Sequence, residues 1–165
     1  MELRKLTKAD LDACWQCRLR ALEFSPTAFG STLASAKAKG PDRLKRIFSD
    51  DRVDEVVFGA VLEDSVVGMI ILNRENGEKS QHKASITSMY VDLEHQGNGI
   101  GGKLLDLAIG HARNRLNSKA IYLTVESGNI AQQLYKSRGF QSWGTEPYAL
   151  FSDGIFYSED HLVLY

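Results

Sequence analysis

Between residues 96 and 103 the chain reads Gln96-Gly97-Asn98-Gly99-Ile100-Gly101-Gly102-Lys103. Each glycine there loses more backbone freedom on folding than any other residue would, so such a run needs a physical reason. A β-branched segment precedes it and an amphipathic one follows, which makes it a strand-to-helix turn. Free N–H groups at a helix start attract anions, and the helix dipole adds roughly 0.3–1 kcal/mol per favourable charge. A phosphate or pyrophosphate is the natural ligand of such a turn.

Three phosphate-binding patterns compete for these residues. Gly97, Gly102 and Lys103 nearly complete the P-loop pattern GxxxxGK[ST], but Leu104 stands where a Mg²⁺-binding hydroxyl is needed. Gly97, Gly99 and Gly102 satisfy GxGxxG, and Glu126 at a later strand end is placed to hold a ribose, as in a dinucleotide-binding oxidoreductase. Against that reading, Asp92 to Gln96 separate the strand from the first glycine, where a dinucleotide fold turns tightly. The third pattern is [QR]-x-x-G-x-[GA], from Gln96 to Gly101.

Elsewhere the chemistry-bearing residues are sparse. Cys14 and Cys17 form a CxxC inside an apparent helix, with no second CxxC. The histidines, His82, His95, His111 and His161, are scattered. Reduced, packed thiols and no metal site are expected.

The elements that position the turn follow from periodicity. Residues 2–6 predict a short strand. Thr7 and Asp10 have capping-box spacing, and Leu11, Trp15, Leu19 and Leu22 predict a helix over about 8–23. A loop carries Phe29 and Gly30, and a second helix is predicted near 42–49. Val56–Leu62 and Val66–Leu72 predict a hairpin, 73–83 a loop and Ala84–Val91 a third strand. Leu105, Ala108, Ile109, Ala112 and Leu116 predict a helix over about 102–117. Ala120–Glu126 predicts a strand, 130–138 a short helix ending at Gly139, and Phe140–Trp143 and His161–Tyr165 the last strands. Residues 144–160 read as a long aromatic-rich connection, with a structural hairpin as the alternative. The strands at 84–91 and 120–126 flank a helix and should pair in parallel. The fold class is therefore α/β (α+β): a single mixed, mostly antiparallel sheet with helices on both faces, in one domain over 1–165.

The chain has 165 residues, with 20 Lys plus Arg against 21 Asp plus Glu. No bulk positive field would hold nucleic acid. No apolar run approaches the ~20 residues of a membrane span, and MELRKLTKAD has no secretory apolar core. A cytoplasmic protein with no membrane and no nucleic-acid partner is the expectation.

On these motifs together the chain resembles the GNAT superfamily of acyl-CoA-dependent N-acyltransferases. The strand end Ser88-Met89-Tyr90-Val91 and the turn from Gln96 fit one family motif. Val125 to Phe140, with Asn129, Ala131, Leu134-Tyr135 and Gly139-Phe140, resembles a second. The resemblance implies acetyl-CoA as co-substrate, with its pyrophosphate on backbone N–H groups of Gly97, Asn98, Gly99, Ile100, Gly101 and Gly102. Gln96 stands where many members carry Arg and brings no charge, so Lys103 is the candidate cation. The pantetheine arm would pair with the strand at Met89, Tyr90 and Val91, where a backbone N–H could also polarise the thioester. Asn129 is read both as a helix cap and as a contact to the arm. Tyr135 is the candidate acid beside the coenzyme sulfur. The general base is read as Glu126, ahead of Glu23 and His82. The implied acceptor is a small-molecule or peptide amine, bound near 24–33 and 144–160, with a homodimer an open option. A non-catalytic acyl-CoA sensor is the alternative of another class.

Overall fold

The computed structural model describes residues 1–49 and 53–165. Among these, the strands are β1 (Glu2–Lys5), β2 (Glu55–Leu62), β3 (Ser65–Arg74), β4 (Lys83–Val91), β5 (Ala120–Glu126), β6 (Gln141–Ser152) and β7 (Ile155–Leu164). The α-helices are α1 (Leu11–Phe24), α2 (Leu33–Lys39), α3 (Asp42–Ser49), α4 (Ile100–Asn114) and α5 (Ala131–Ser137). The strands form one sheet in the order β1-β2-β3-β4-β5-β7-β6. Every neighbouring pair is antiparallel except β4 and β5, joined in parallel through α4. The mixed, mostly antiparallel sheet predicted from the sequence is the one observed.

Two cores lie on the two faces. Alternation along β2 and β3 sends Val56, Phe58, Ala60, Ile70 and Leu72 to one face, where α4 lays down Leu104, Leu105, Ala108 and Ala112. Burying each leucine there stabilises the fold by about 1.5–3 kcal/mol. The opposite face receives Val57, Met69 and Ile71, covered by α1 and α3 through Cys14, Cys17, Ala21, Leu44 and Ile47. Both cysteines are fully buried, and burial pushes the Cys14 thiol up to about 12. Such thiols remain protonated and act as small apolar residues.

The capping spacing of Thr7 and Asp10 produces a short 3₁₀ turn (Lys8–Asp10) leading into α1. The Thr7 N–H donates to Asp10 Oδ2 at 2.8 Å. Arg4 then closes a two-pronged pair on Asp10 at 2.7 and 2.8 Å, tying β1 to this turn.

One expectation is corrected: residues 33–39 form α2, where no helix was predicted. Of the two readings of residues 144–160 the hairpin is the one observed, with β6 and β7 running through them and turning at Asp153-Gly154.

Candidate functional site

The site begins with a failure of pairing. β4 and β5 are paired only from Lys83–Ala120 to Ser85–Tyr122, and beyond that the strands diverge. The cause lies in β4. Ile71 pairs with Thr87 and Met69 with Tyr90, so Ser88 and Met89 together oppose Ile70 as a bulge. Ser88 adopts a left-handed backbone, φ 54°. The bulge bends the strand and resets its alternation. Ala84 and Ile86 face α4 before it, and Met89 and Val91 face α4 after it. Tyr90 turns its ring into the core beneath α1.

The bulge also aims the peptide groups. Asp92 N–H donates to Val67 of β3 at 2.9 Å. Successive peptide groups of a strand point to alternate edges, so those of Tyr90 share that direction and those of Met89 and Val91 face the gap. One of them is already engaged: Gln96 Nε2 donates to the Val91 carbonyl at 2.9 Å. Gln96 thus braces the turn against β4 rather than reaching outward.

The glycine turn closes one end of the gap. Gly99 caps α4 with φ 73°, a conformation that a side chain would strain. Among the described residues, no amide N–H from Gly97 to Gly102 donates to a protein acceptor; the first to do so is Lys103, to Gly99 O at 3.1 Å. Asn98 Nδ2 donates to the carbonyls of His95 and Gln96 at 3.2 and 3.3 Å, which holds the turn open. A side chain at Gly101 would meet Met89 Cε at 3.1 Å, so helix and strand approach closely here.

A cleft of about 480 Å³ results, lined by Met89, Tyr90 and Val91, by Gln96, Gly97 and Gly99 to Gly102, and by Asn129, Leu134 and Tyr135. Eleven of the sequence-derived residues thus come together. Asn98 and Lys103 are exposed and do not line it. The cation that does approach the turn is Arg138, which the sequence reading missed. Its guanidinium lies beside Gly102 and pairs with Asp106 at 3.1 Å. Its place just before Gly139 was the available signal.

Asn129 Oδ1 accepts from the Ala131 N–H at 2.9 Å, a local turn just before Ile130 caps α5, and the residue lines the cleft. Tyr135 packs edge-on against Phe140, with ring centroids 6.0 Å apart. Burial alone pushes its phenol up to about 12. Its hydroxyl has no hydrogen-bond partner among the described residues.

Glu126 lies on the opposite face of the sheet, outside this cleft. Thr27 Oγ1 donates to its Oε2 at 2.8 Å. Glu126, Glu159 and Glu146 are cross-strand neighbours on β5, β7 and β6. Glu159 is held above the usual carboxylate range, first by burial and then by Glu146, with Glu126 adding to the effect. Glu159 is a second carboxylate that the sequence reading missed, because residues 144–160 were read as a connection. His82 lies just before the start of β4, the end remote from the bulge. Glu23 lines a separate cavity of about 390 Å³ between the α1–α2 segment and the β6–β7 hairpin, together with Thr27, Phe29, Phe151 and Tyr157.

Residues 20–140 match the acetyltransferase (GNAT) family, and the chain belongs to it. Solved structures agree in fold across its length. A ribosomal-protein-alanine N-acetyltransferase from Brucella melitensis superposes with a TM-score of 0.84 at 25% identity, covering 99% of both chains. The protein yncA from Salmonella typhimurium, solved with its cofactor acetyl-CoA, has a TM-score of 0.85 at 22% identity, over 99% of this chain and 92% of that one. A phosphinothricin acetyltransferase from Sinorhizobium meliloti, in complex with acetyl-CoA, has a TM-score of 0.83 at 18% identity, over 99% and 86%. No curated protein sequence matches the chain.

Proposed function

We propose that this chain is an acetyl-CoA-dependent N-acetyltransferase, one GNAT domain over residues 1–165, that moves the acetyl group to a primary amine. The observation that carries the proposal is the row of undonated N–H groups from Gly97 to Gly102 beside a strand edge opened by the Ser88 bulge. That pairing offers a cradle for a pyrophosphate and, next to it, backbone groups for an amide-bearing arm. The acetyl-CoA complexes of two fold relatives support the same assignment.

In the reaction, the neutral amine nitrogen attacks the thioester carbonyl carbon. An N–C bond forms, the C–S bond breaks, and a proton leaves the nitrogen while sulfur gains one. The chain's contribution is positional. The N–H groups of Met89 and Val91 face the gap and would donate to the developing oxyanion, an interaction worth about 3 kcal/mol when aimed correctly. Tyr135 would stand at the sulfur. A phenol near 12 is too weak an acid to hand its proton outright to a thiolate of pKa ~8.5. Tyr135 therefore serves as a hydrogen-bond donor to the leaving sulfur, while the amine supplies the net proton.

Glu126 is proposed as the base, reached through water. It stands on the α1 side of the sheet, held by Thr27, whereas Tyr135 stands on the α4 side. The amine would then arrive from one face and the coenzyme from the other. Tyr148, Phe151 and Phe156, exposed together on the β6–β7 hairpin, support a contact surface for the acceptor or a second copy.

The test is release of coenzyme A thiol from acetyl-CoA in the presence of an amine panel. Amine-dependent release is expected, and it should fall about 10–100-fold in Glu126→Gln. Acetyl-CoA binding with no transfer to any amine would favour the sensor reading.

A further inference from the structure

The arginines of α1 differ in how they are satisfied. Arg20 is fully engaged, with Nε and Nη2 on the Asp92 carboxylate at 2.9 and 2.8 Å and Nη2 also on Val66 O at 2.7 Å. Arg18 has no hydrogen bond to any described residue. Its Nη1 is wholly buried and without an acceptor. Burial holds its guanidinium below the usual arginine range, and the charge of Arg43 acts in the same direction. The compensation it does have is the ring of Phe29, 4.5 Å from the guanidinium carbon. Arg18 is half-buried, with one donor wholly buried, and native folds leave such donors unpaired only for a reason.

The surroundings supply that reason. Arg18 opens into a cavity of about 510 Å³ that also touches Trp15, Lys39, Arg43 and Ser88. The acid in its lining is Asp42, which is mostly exposed and paired with Lys45. Arg43 is itself paired with Glu55 at 3.3 Å, so the cations left to the cavity are Arg18 and Lys39, which face one solvated acid and give it a positive potential. Ser88 is the bulged residue of β4, and the next residue, Met89, lines the coenzyme cleft. Phe29, which carries Arg18 on its ring, lines that cleft as well. The cationic cavity and the proposed thioester position are therefore separated by one strand residue and one aromatic ring.

We infer that the acceptor is a small amine carrying a carboxylate, which Arg18 holds while the amino group reaches past Ser88 to the thioester at Met89. This rests on the acetyltransferase reading and names the substrate class of that site. The carboxylate would take the unused donors of Arg18 as a two-pronged pair, with Trp15 against the apolar part of the molecule. The bond changes are those of the transfer above, and the carboxylate takes no part in them.

The experiment measures acetyl transfer to the L-α-amino acids and to longer amino carboxylates, each beside its own carboxamide. Wild type, Arg18→Gln and Arg18→Lys are compared, and acetyl-CoA affinity is titrated in each. A charge-assisted pair predicts that at least one acid exceeds its amide by about 10–100-fold in kcat/KM, chiefly through KM. Arg18→Gln should reduce that ratio to near one, Arg18→Lys should keep part of it, and acetyl-CoA affinity should be unchanged in both. Equal use of acid and amide by the wild type overturns the inference, whatever the variants do. So does a ratio that survives Arg18→Gln, or transfer to neutral or cationic amines alone. Absence of transfer to any carboxylate by a wild type that binds acetyl-CoA overturns it too. A wild type that does not bind acetyl-CoA overturns the acetyltransferase reading first and this inference with it.

Discussion

Tyr135 shows how burial assigns chemistry to a single side chain. A phenol pushed up to about 12 stays protonated across the working range. The acceptor amine must lose its proton to react, and a lysine-like amine has a pKa of ~10.4. Activity should therefore rise with pH and show no descending limb up to about pH 10. Tyr135→Phe should lower kcat about 10–100-fold with little change in KM, because it removes a bond made only as sulfur departs. Steady-state kinetics of both proteins across pH check this. A descending limb near pH 8–9 in the wild type that vanishes in the variant would mean that Tyr135 ionises where its burial forbids. Gln96 makes a related point. It stands where many family members carry a cation, and its amide is spent on Val91 O. The anion in this turn would rest on backbone N–H groups, with the Arg138 guanidinium beside Gly102 in the first turn of the helix.

At the scale of elements, the Arg4–Asp10 pair is the clearest link between β1 and α1. Arg4 and the Thr7 N–H hold the Asp10 carboxyl at about 2, below its usual 3.8. A lowered folded pKa contributes stability above the unfolded value and loses it as pH falls through the folded one. Because the Arg4 side chain is about a third exposed, solvent screening limits the contribution to about 1 kcal/mol. Asp10→Asn should cost about that much at pH 7 in urea unfolding, and the two proteins should converge as pH falls from about 4 toward about 2. A gap that stays constant with pH would make the effect one of shape rather than charge. Elements with buried faces were legible in the sequence. β2 and β3, buried on both faces, carried continuous apolar runs, and α4 carried an apolar stripe at helical spacing. α2 was not, because none of its side chains is buried and no stripe forms. It is held by Thr32, which accepts from the Ser35 N–H at 3.1 Å, and by Gly40 at φ 67°. Only the outer ends of β6 and β7, near 140–143 and 161–165, were predicted as strands, for a similar reason. β6 has no buried residue, so alternation had nothing to display, although Asp153-Gly154 was a fair turn signal. The bulge at Ser88 was invisible, since a serine in a left-handed conformation carries no mark of residue type.

For the molecule as a whole, one sheet serves two purposes. Its β1–β4 half is closed on both faces by apolar packing, with α1 and α3 on one side and α4 on the other. Its other half, beyond the split, carries the neighbouring carboxylates of Glu126, Glu159 and Glu146 and the exposed aromatics Tyr148, Phe151 and Phe156. No helix among the described residues is long and apolar enough to cross a membrane. The glycine turn was legible in the sequence as a strand-to-helix turn with free N–H groups, but the gap beside it and the unpaired Arg18 are products of the assembled fold. The central claim is that the cradle and the gap together hold acetyl-CoA. Calorimetric titration of acetyl-CoA into the wild type and into Gly99→Glu tests it most directly. Binding by the wild type is expected, with affinity at least about 30-fold weaker in the variant, where a carboxylate and a strained left-handed backbone stand at the phosphate position. Equal affinity in the two proteins, or no binding by the wild type, would contradict the account.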